Sequence, residues 1–169
     1  VMFGGACFAA FPLFYATSFG GAYWVWLAIL FCFILQAVSY EYRKKPDNFL
    51  GQKTYEIFLF INGSLGVILI GMAVSTFFSG SDFLLNEHNF VQWQTPFRGL
   101  EALGNIMLYP LGIAVFFLYR VGGALYLINN IDDAEIRANA RKAALKNTIF
   151  FLPFFLIFIA WIFTKAGFA

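Results

Sequence analysis

Long stretches without a charged residue run through this chain, and they predict helices that cross a membrane. The first 40 residues contain no Asp, Glu, Lys or Arg, and residues 57–80 and 147–164 are also uncharged. A bilayer core of about 30 Å is crossed by ~20 helical residues, so the first 40 must fold back on themselves. We expect the reversal at residues 18–21, because Gly20 and Gly21 give the backbone the freedom that a tight turn needs.

These runs predict an all-α fold class, a polytopic transmembrane helix bundle with about five spans. The spans lie at about 1–18, where the first is truncated, and at about 22–42, 57–80, 97–127 and 147–164. We expect Pro110 to kink the fourth span and Pro153 to lie in the first turns of the fifth. Asp132 is expected to cap a helix, with Glu135 three positions later. We expect residues 1–169 to be a single membrane-embedded domain, part of a longer polypeptide whose opening helix or helices precede Val1.

Small and polar residues recur about four apart in the third span. They are Asn62, Gly63, Gly66, Gly71, Ser75 and Ser79. Small side chains let the backbones of two helices approach closely, so this pattern predicts a helix-packing face rather than a substrate site.

Basic residues cluster in two connectors, and their positions predict the orientation of the bundle. Residues 43–53 contain Arg43, Lys44, Lys45 and Lys53, and residues 128–146 contain Arg137, Arg141, Lys142 and Lys146. Because short cytoplasmic loops are rich in Lys and Arg, we expect both connectors to be cytoplasmic and residues 81–96, which have neither, to lie outside. The basic residues near lipid headgroups form either a solvated connector or a specific lipid site.

Composition agrees with a membrane protein and excludes several function classes. The 169 residues are 61% hydrophobic and 12% charged, whereas soluble domains carry about 25% charged residues. A net charge of +2 is too small for a nucleic-acid-binding protein, so we expect no nucleic acid partner. Cys7 and Cys32 lie in apolar stretches and are interpreted as small buried hydrophobic residues.

The single histidine limits the chemistry further. It is His88, in the predicted outer loop. A haem held by two imidazoles, or a histidine-based metal site, needs more than one histidine, so we expect no metal ligand in this chain. No Ser or Cys stands beside a candidate base and no glycine-rich phosphate loop follows a strand, so we also expect no catalytic residue.

Four ionisable residues near the ends of spans are candidates for proton transfer or for a subunit interface, because charges near hydrocarbon are costly unless they have a partner or a function. Glu41 ends the second span in a Tyr-Glu-Tyr-Arg cluster typical of a membrane interface. Glu101 is expected one turn inside the fourth span, where it either pairs with Arg98 or carries a proton against another subunit. Arg120 is expected near the cytoplasmic end of that helix, from which it can extend to the interface.

Three motifs occur in a specific order near the start of the chain. Residues 4–16 read GGACFAAFPLFYA, residues 19–23 read FGGAY and residues 40–45 read YEYRKK. Together they resemble subunit II of the cytochrome bd-type quinol oxidases, which typically shows G-G-A-L-F-A-A-F-P-x-x-Y-A, a S-G-x-Y turn and an E-[FY]-R-x-K helix end. Looser similarity continues through residues 62–64, 95–97 and 119–123, so the resemblance covers nearly the whole chain. In that family a W-D-G-N-E-x-W-L motif with a proton-carrying aspartate precedes the first run, and this sequence begins after it.

The resemblance implies a non-haem-ligating subunit of a bd-type terminal oxidase, a quinol:oxygen oxidoreductase of the respiratory chain that reduces dioxygen to water. It implies a haem-bearing subunit I as partner, with haems b and d, while this chain alone binds no cofactor and a structural quinone is left open. It also implies contact with lipid in a bacterial cytoplasmic (inner) membrane and a contribution to proton delivery. The alternative hypothesis is a polytopic solute or ion transporter, which broken helices at Pro12 and Pro110 and the carboxylate of Glu101 would suit.

Overall fold

The computed structural model describes residues 2–46, 49–80, 83–87, 90–94, 97 and 100–165, except for the side chains of residues 2–4, 7, 101 and 102. Its helices are α1 Met2–Ala10, α2 Pro12–Gly21, α3 Tyr23–Tyr42, α4 Gln52–Ser79, α5 Leu100–Gly104, α6 Tyr109–Asn130 and α7 Ala134–Lys165. A 3₁₀ turn, Ile106–Leu108, leads into α6, and strands β1 Phe83–Leu85 and β2 Val91–Trp93 lie between α4 and α5.

Within the described residues, four helical segments are long and apolar enough to cross a membrane. They are α3, α4, Ile106–Asn130 and α7, with 20, 28, 25 and 32 residues. At 1.5 Å per residue even α3 extends ~30 Å, the thickness of the hydrocarbon core. The predicted all-α polytopic bundle is confirmed, and its form is that of a multi-pass membrane protein.

The truncated first span consists of two short helices rather than one. Helix α1 ends at Ala10, Phe11 has a non-helical backbone, and Pro12 opens α2. Proline has no N–H and a fixed φ, so it starts a helix more readily than it continues one. The chain reverses at Ala22, just after the predicted turn, and Gly20 stays inside the last turn of α2.

The fourth span begins later than predicted, and Pro110 does not kink it. Helix α5 ends at Gly104, Asn105 is extended with φ −84° and ψ 104°, and Pro110 lies in the first turn of α6. In a first turn the missing N–H of proline has no helical partner to lose, so Pro110 starts the helix instead of bending it. The Asn105 side chain supports this start by accepting a 3.1 Å hydrogen bond from the Met107 N–H. Glu101 therefore precedes the long helix, and the prediction that it lies one turn inside the span is wrong.

Helices α4 and α7 extend beyond their uncharged runs, at the ends that carry basic residues. Helix α4 begins at Gln52 rather than at residue 57, and α7 begins at Ala134 rather than at residue 147. Pro153 consequently lies in the interior of α7 and not in its first turns. Hydropathy misses such extensions because it shows where charges stop, whereas a helix continues through charged residues of good helix propensity.

The predicted helix start at residues 132–135 is confirmed, but a different residue caps it. Asp133 accepts a 2.9 Å hydrogen bond from the Ile136 N–H, three residues later. Asp132, the predicted cap, forms an ion pair with Arg137 instead. One carboxylate thus caps the helix while the other fixes a side chain of its first turn.

The core lies between α3 and α4, beside the turn that leads into α6, and the predicted small-residue face of α4 contributes to it. Gly66 faces Cys32 of α3, and Gly71 faces Gly112 of α6 so closely that a Cβ on Gly71 would lie 2.7 Å from the Gly112 Cα. Glycine therefore sets the distance between these helices, as expected for a packing face. Other buried side chains of this cluster are Ala22, Val25, Ile29, Leu69, Met72, Ala73 and Leu108.

The bundle has two chemically different ends. We call the end with the α3–α4 and α6–α7 connections the basic end, and the end with β1, β2 and α5 the hairpin end. The two strands, which were not predicted, pair antiparallel with Phe83 opposite Trp93. Trp93 also packs on α2, where a Cβ on Gly20 would lie 2.5 Å from the indole ring. The hairpin thus packs against the end of α2 through Trp93.

Candidate functional site

Glu41 lies at the basic end in a compact cluster of charged and aromatic residues. Its carboxylate is 3.1 Å from the Lys45 ammonium, one helical turn later. That ammonium lies 4.2 Å from the centre of the Tyr42 ring, and the Arg43 guanidinium lies 5.2 Å from the centre of the Tyr40 ring. Glu41 and Lys45 are both largely exposed, so their ion pair adds little stability, and the cluster is suited to holding the end of α3 at a membrane surface.

Arg120 is exposed on α6, well before the last residue of that helix, Asn130. Its guanidinium lies 5.6 Å from the centre of the Phe116 ring, one turn earlier. It forms no ion pair with any residue that the structure describes. About 15 Å of helix follows it toward the basic end, so Arg120 lies about three turns before the last residue of α6.

The predicted pair of Arg98 and Glu101 lies outside the described residues. Arg98 is not described at all, and for Glu101 only the backbone is, in α5 at the hairpin end. The three candidates with a described position do not form one site. Glu41 ends α3 at the basic end, Arg120 lies within α6, and Glu101 lies at the opposite end of the bundle.

Two buried polar atoms lack a hydrogen-bond partner within the described part of the chain, the Trp26 Nε1 and the Ser75 Oγ. Ser75 has no exposed surface and lies one turn after Gly71 on α4. Its neighbour Thr76, by contrast, donates a 2.6 Å hydrogen bond to the Ala73 carbonyl. An unpaired buried hydroxyl costs about 1–3 kcal/mol, so Ser75 is a destabilising feature in a tightly packed interface. The sequence pattern marks Ser75 as small but carries no signal for its lack of a partner.

A cavity of about 650 Å³ lies at the hairpin end, between the ends of α4 and α7 and the turn before α6. Its lining combines rings with polar groups and comprises Phe78, Ser79, Asn105, Met107, Trp161, Ile162, Thr164 and Lys165. The Phe158 ring of α7 contacts the Phe78 ring of α4 at 5.7 Å and so connects the two walls, and it also contacts Trp161 of its own helix at 5.9 Å. Its volume lies within the range of small-molecule sites, about 300–1,000 Å³. Three separate segments form this cavity, so no local motif predicts it.

Comparison with known families decides what kind of protein this is. The family described as "Cytochrome bd terminal oxidase subunit II" matches residues 1–169. The chain belongs to this family. Membership in the subunit II family confirms the resemblance inferred from the three N-terminal motifs, and the comparisons give no support to the transporter alternative.

Curated relatives of the chain come from several bacteria. The chain is 30% identical over 165 residues to the "Probable cytochrome oxidase subunit 2" of Haemophilus influenzae, covering 98% of this chain and 43% of the relative. It is 28% identical to the "Cytochrome bd-I ubiquinol oxidase subunit 2" of Escherichia coli K12, covering 88% and 39%. It is 26% identical to the "Cytochrome bd ubiquinol oxidase subunit 2" of Bacillus subtilis, covering 86% and 41%. The chain thus spans about two fifths of the length of these relatives.

The described residues do not offer the two histidines that would hold a haem between two imidazoles. The single histidine, His88, lies outside the described residues, and Met72 is 3% exposed and packed in the core. Among the described side chains, no group of three or more His, Cys, Asp and Glu could hold a metal ion.

Proposed function

We propose that this chain is part of the non-haem-ligating subunit of a bd-type terminal oxidase, a respiratory complex that oxidises quinol and reduces dioxygen to water. The observation that carries the proposal is the match of the subunit II family along the whole chain. The relatives named as ubiquinol oxidase subunits support the reaction class. In this proposal a partner subunit I carries haems b and d and the quinol-oxidising chemistry, and a structural quinone in this subunit is left open.

The proposed location is the cytoplasmic (inner) membrane of a bacterium, with the basic end in the cytoplasm. Connectors 43–53 and 128–146 would then be cytoplasmic and residues 81–96 outside. The positive-inside rule supports this orientation, because the basic residues of the connectors are all near one end of the bundle. The alternating course of α3, α4, α6 and α7 supports it as well, since two connections at one end and the hairpin at the other are consistent with successive crossings.

The first proposed role of this chain is to provide a rigid apolar surface for the haem-bearing subunit and for lipid. Rigidity follows from the close α4–α6 crossing at Gly71 and Gly112, where neither backbone can move toward the other. Helix α3 turns a large apolar face outward, including Leu30, Phe31 and Ile34, each about half exposed. In a membrane such a face contacts either acyl chains or another subunit.

The second proposed role is a contribution to proton delivery, confined here to the basic end. Glu41 is exposed there, and the polar side chains of Ser39 and Asn62 are buried in the same third of the bundle. The Ser39 hydroxyl donates a 2.6 Å hydrogen bond to the Leu35 carbonyl, and the Asn62 amide donates a 2.9 Å hydrogen bond to the Phe58 carbonyl. Further toward the hairpin end the core is apolar, with Ile29, Cys32, Leu69 and Met72. A proton taken up at Glu41 would therefore pass to the partner subunit rather than along this core.

For Glu101 and Arg98 we propose an interface role instead of proton uptake. The backbone of Glu101 lies at the hairpin end, opposite the proposed cytoplasmic surface. Replacing Glu101 by Gln should leave proton uptake during oxygen reduction unchanged. Slower proton uptake at a normal yield of the complex would show that Glu101 takes part in proton transfer.

The test of the oxidase proposal uses the full-length subunit in its native host. We expect it to copurify with a haem-bearing partner, and we expect deletion of its gene to abolish oxygen uptake driven by quinol, with restoration from a plasmid. Purification without a haem-bearing partner, together with intact quinol-dependent oxygen uptake in the deletion strain, would refute the proposal.

The proton role of Glu41 needs a separate comparison with a matched carboxylate. Glu56 lies at the same end of the bundle, exposed, and accepts a 2.8 Å hydrogen bond from Gln52. We expect Glu41→Gln to slow proton uptake coupled to oxygen reduction and Glu56→Gln to leave it unchanged. Equal rates of proton uptake in the two variants and the wild type would mean that Glu41 has no proton role and only anchors α3.

A further inference from the structure

Arg120 and Lys146 lie in one layer of the α6–α7 pair. The Phe117 ring of α6 stacks on the Phe150 ring of α7, with centroids 5.4 Å apart and planes at 21°. The two helices run antiparallel. One turn toward the basic end is therefore three residues after Phe117 on α6 and four residues before Phe150 on α7. Those positions are Arg120 and Lys146.

Both cations stand at the rim of the contact between the helices. Asn147, next to Lys146, is 7% exposed and marks the middle of this contact, whereas Arg120 and Lys146 are exposed. Below them, toward the hairpin end, the rings of Phe116, Phe117 and Phe150 form a continuous row with centroids 5.4 Å apart at each step. Arg120 reaches back over the first of these rings. Two cationic residues therefore lie one turn nearer the basic end than a row of aromatic rings.

Among the described side chains, no carboxylate pairs with either of these two charges. The sequence has no Asp or Glu in residues 102–131 or 136–169, which contain most of α6 and α7. In the described part of the chain, the ion pairs involve neither Arg120 nor Lys146. Two like charges in one layer repel each other, and the repulsion is largest where water is scarce. An anion from outside this chain, placed between them, would relieve this repulsion.

The depth of the layer indicates where that anion comes from. The uncharged part of α7, residues 147–164, is about 27 Å long and matches a hydrocarbon core of about 30 Å. Lys146 is the first residue beyond it at the basic end, and Arg120 is level with Lys146. Both cations are therefore at the depth of lipid phosphates.

We propose that Arg120 and Lys146 bind the phosphate of an anionic phospholipid, whose acyl chain lies along Phe116 and Phe150. The planar guanidinium can hold two phosphate oxygens at once, and the ammonium adds a second positive charge. A lipid of net negative charge neutralises the layer, whereas a zwitterionic lipid brings its own cation into it. This inference does not depend on the oxidase proposal, because it uses only the geometry and charge of α6 and α7.

The experiment compares lipid retention by the purified full-length complex in native mass spectrometry. The complex is delipidated and then loaded with phosphatidylglycerol or phosphatidylcholine. We expect the wild type to retain phosphatidylglycerol, and we expect Arg120→Gln and Lys146→Gln each to lower the retained fraction about fivefold, the ratio expected for ~1 kcal/mol per cation at a lipid surface. Lys53→Gln is the matched control, because it removes an exposed cation from the same end but outside this layer. Its retention should equal that of the wild type.

Several outcomes would overturn the inference. Unchanged phosphatidylglycerol retention in the Arg120→Gln, Lys146→Gln double variant would exclude the site, and so would equal retention of the two lipids by the wild type. Displacement of the lipid by inorganic phosphate would show a site for free phosphate instead. Should Arg120→Gln fail to assemble, Lys146→Gln alone still tests the site, and Arg120→Lys, which keeps the charge, should retain more lipid than Lys146→Gln.

Discussion

Helices α4 and α7 are both long and apolar, yet they meet the rest of the bundle in opposite ways. In α4, 39% of the most apolar stretch is buried inside the structure, whereas in α7 only 11% is. Helix α4 contacts both α3 and α6 through glycines, and α7 contacts α6 through phenylalanine rings. In a membrane, where lipid tails are as apolar as the side chains, close packing rather than hydropathy decides which helix lies in the centre.

The largest expected effect comes from breaking the glycine contact of α4. Gly71→Ala places a Cβ 2.7 Å from the Gly112 Cα, so two backbones must move apart. We expect a loss of about 2–3 kcal/mol in the free energy of unfolding, measured by denaturant titration of the full-length subunit in mixed micelles. Gly123→Ala on α6, where nothing lies within 4 Å, is the control and should change the stability by less than about 0.5 kcal/mol. Similar values for both variants would contradict the central position of α4.

Breaking the ring contact between α6 and α7 should have the next largest effect on the free energy of unfolding. Phe117 stacks on Phe150 at 5.4 Å and on Phe154 at 6.1 Å. A double-mutant cycle with Phe117→Leu and Phe150→Leu is expected to give a coupling energy of about 1 kcal/mol, since aromatic pairs add ~0.5–1.5 kcal/mol beyond their buried area. A coupling near zero in the same unfolding assay would mean that these rings fill space without interacting specifically.

A third change should stabilise the protein. Ser75→Ala removes a buried hydroxyl without a partner from the α4 interface and is expected to raise the free energy of unfolding by about 1 kcal/mol. Thr76→Val is the matched control, because its hydroxyl is paired with the Ala73 carbonyl, and its replacement should lower stability slightly. A loss of stability in Ser75→Ala would show that its hydroxyl has a partner in the assembled complex.

The smallest effect is expected at the basic end of α3. Glu41→Gln breaks an exposed ion pair with Lys45, which contributes less than about 0.5 kcal/mol at this exposure. Thermal unfolding midpoints at low and high salt should differ between wild type and variant only at low salt, because salt screens exposed pairs. A large, salt-independent loss would indicate that Glu41 is buried against a partner subunit.

The sequence was sufficient for the number and order of the long helices, because these follow from the positions of charged residues along the chain and not from tertiary contacts. It was also sufficient for the packing face of α4, since small residues at helical spacing have one common use. Helix ends were harder to predict from the sequence. Pro110 can kink or start a helix, and only the extended backbone at Asn105 shows that it starts one.

The candidate sites depended more strongly on tertiary structure. Glu41 and its aromatic and basic neighbours belong to one contiguous segment, so the sequence alone places them together. The layer of Arg120 and Lys146 depends on how α6 and α7 are aligned along their lengths, which the Phe117–Phe150 contact reveals and neither helix encodes alone. The missing partner of Ser75 and the cavity at the hairpin end likewise arise from segments that are distant in the chain.

The contact of Trp93 with Gly20 has a consequence for biosynthesis. Residues 12–21 emerge from the ribosome long before the strand that carries Trp93, and α4 must cross the membrane between the two events. Helix α2 therefore lacks this partner until β2 has been made. Its fixation is a late step of assembly, and Gly20 keeps open the space into which the indole ring finally fits.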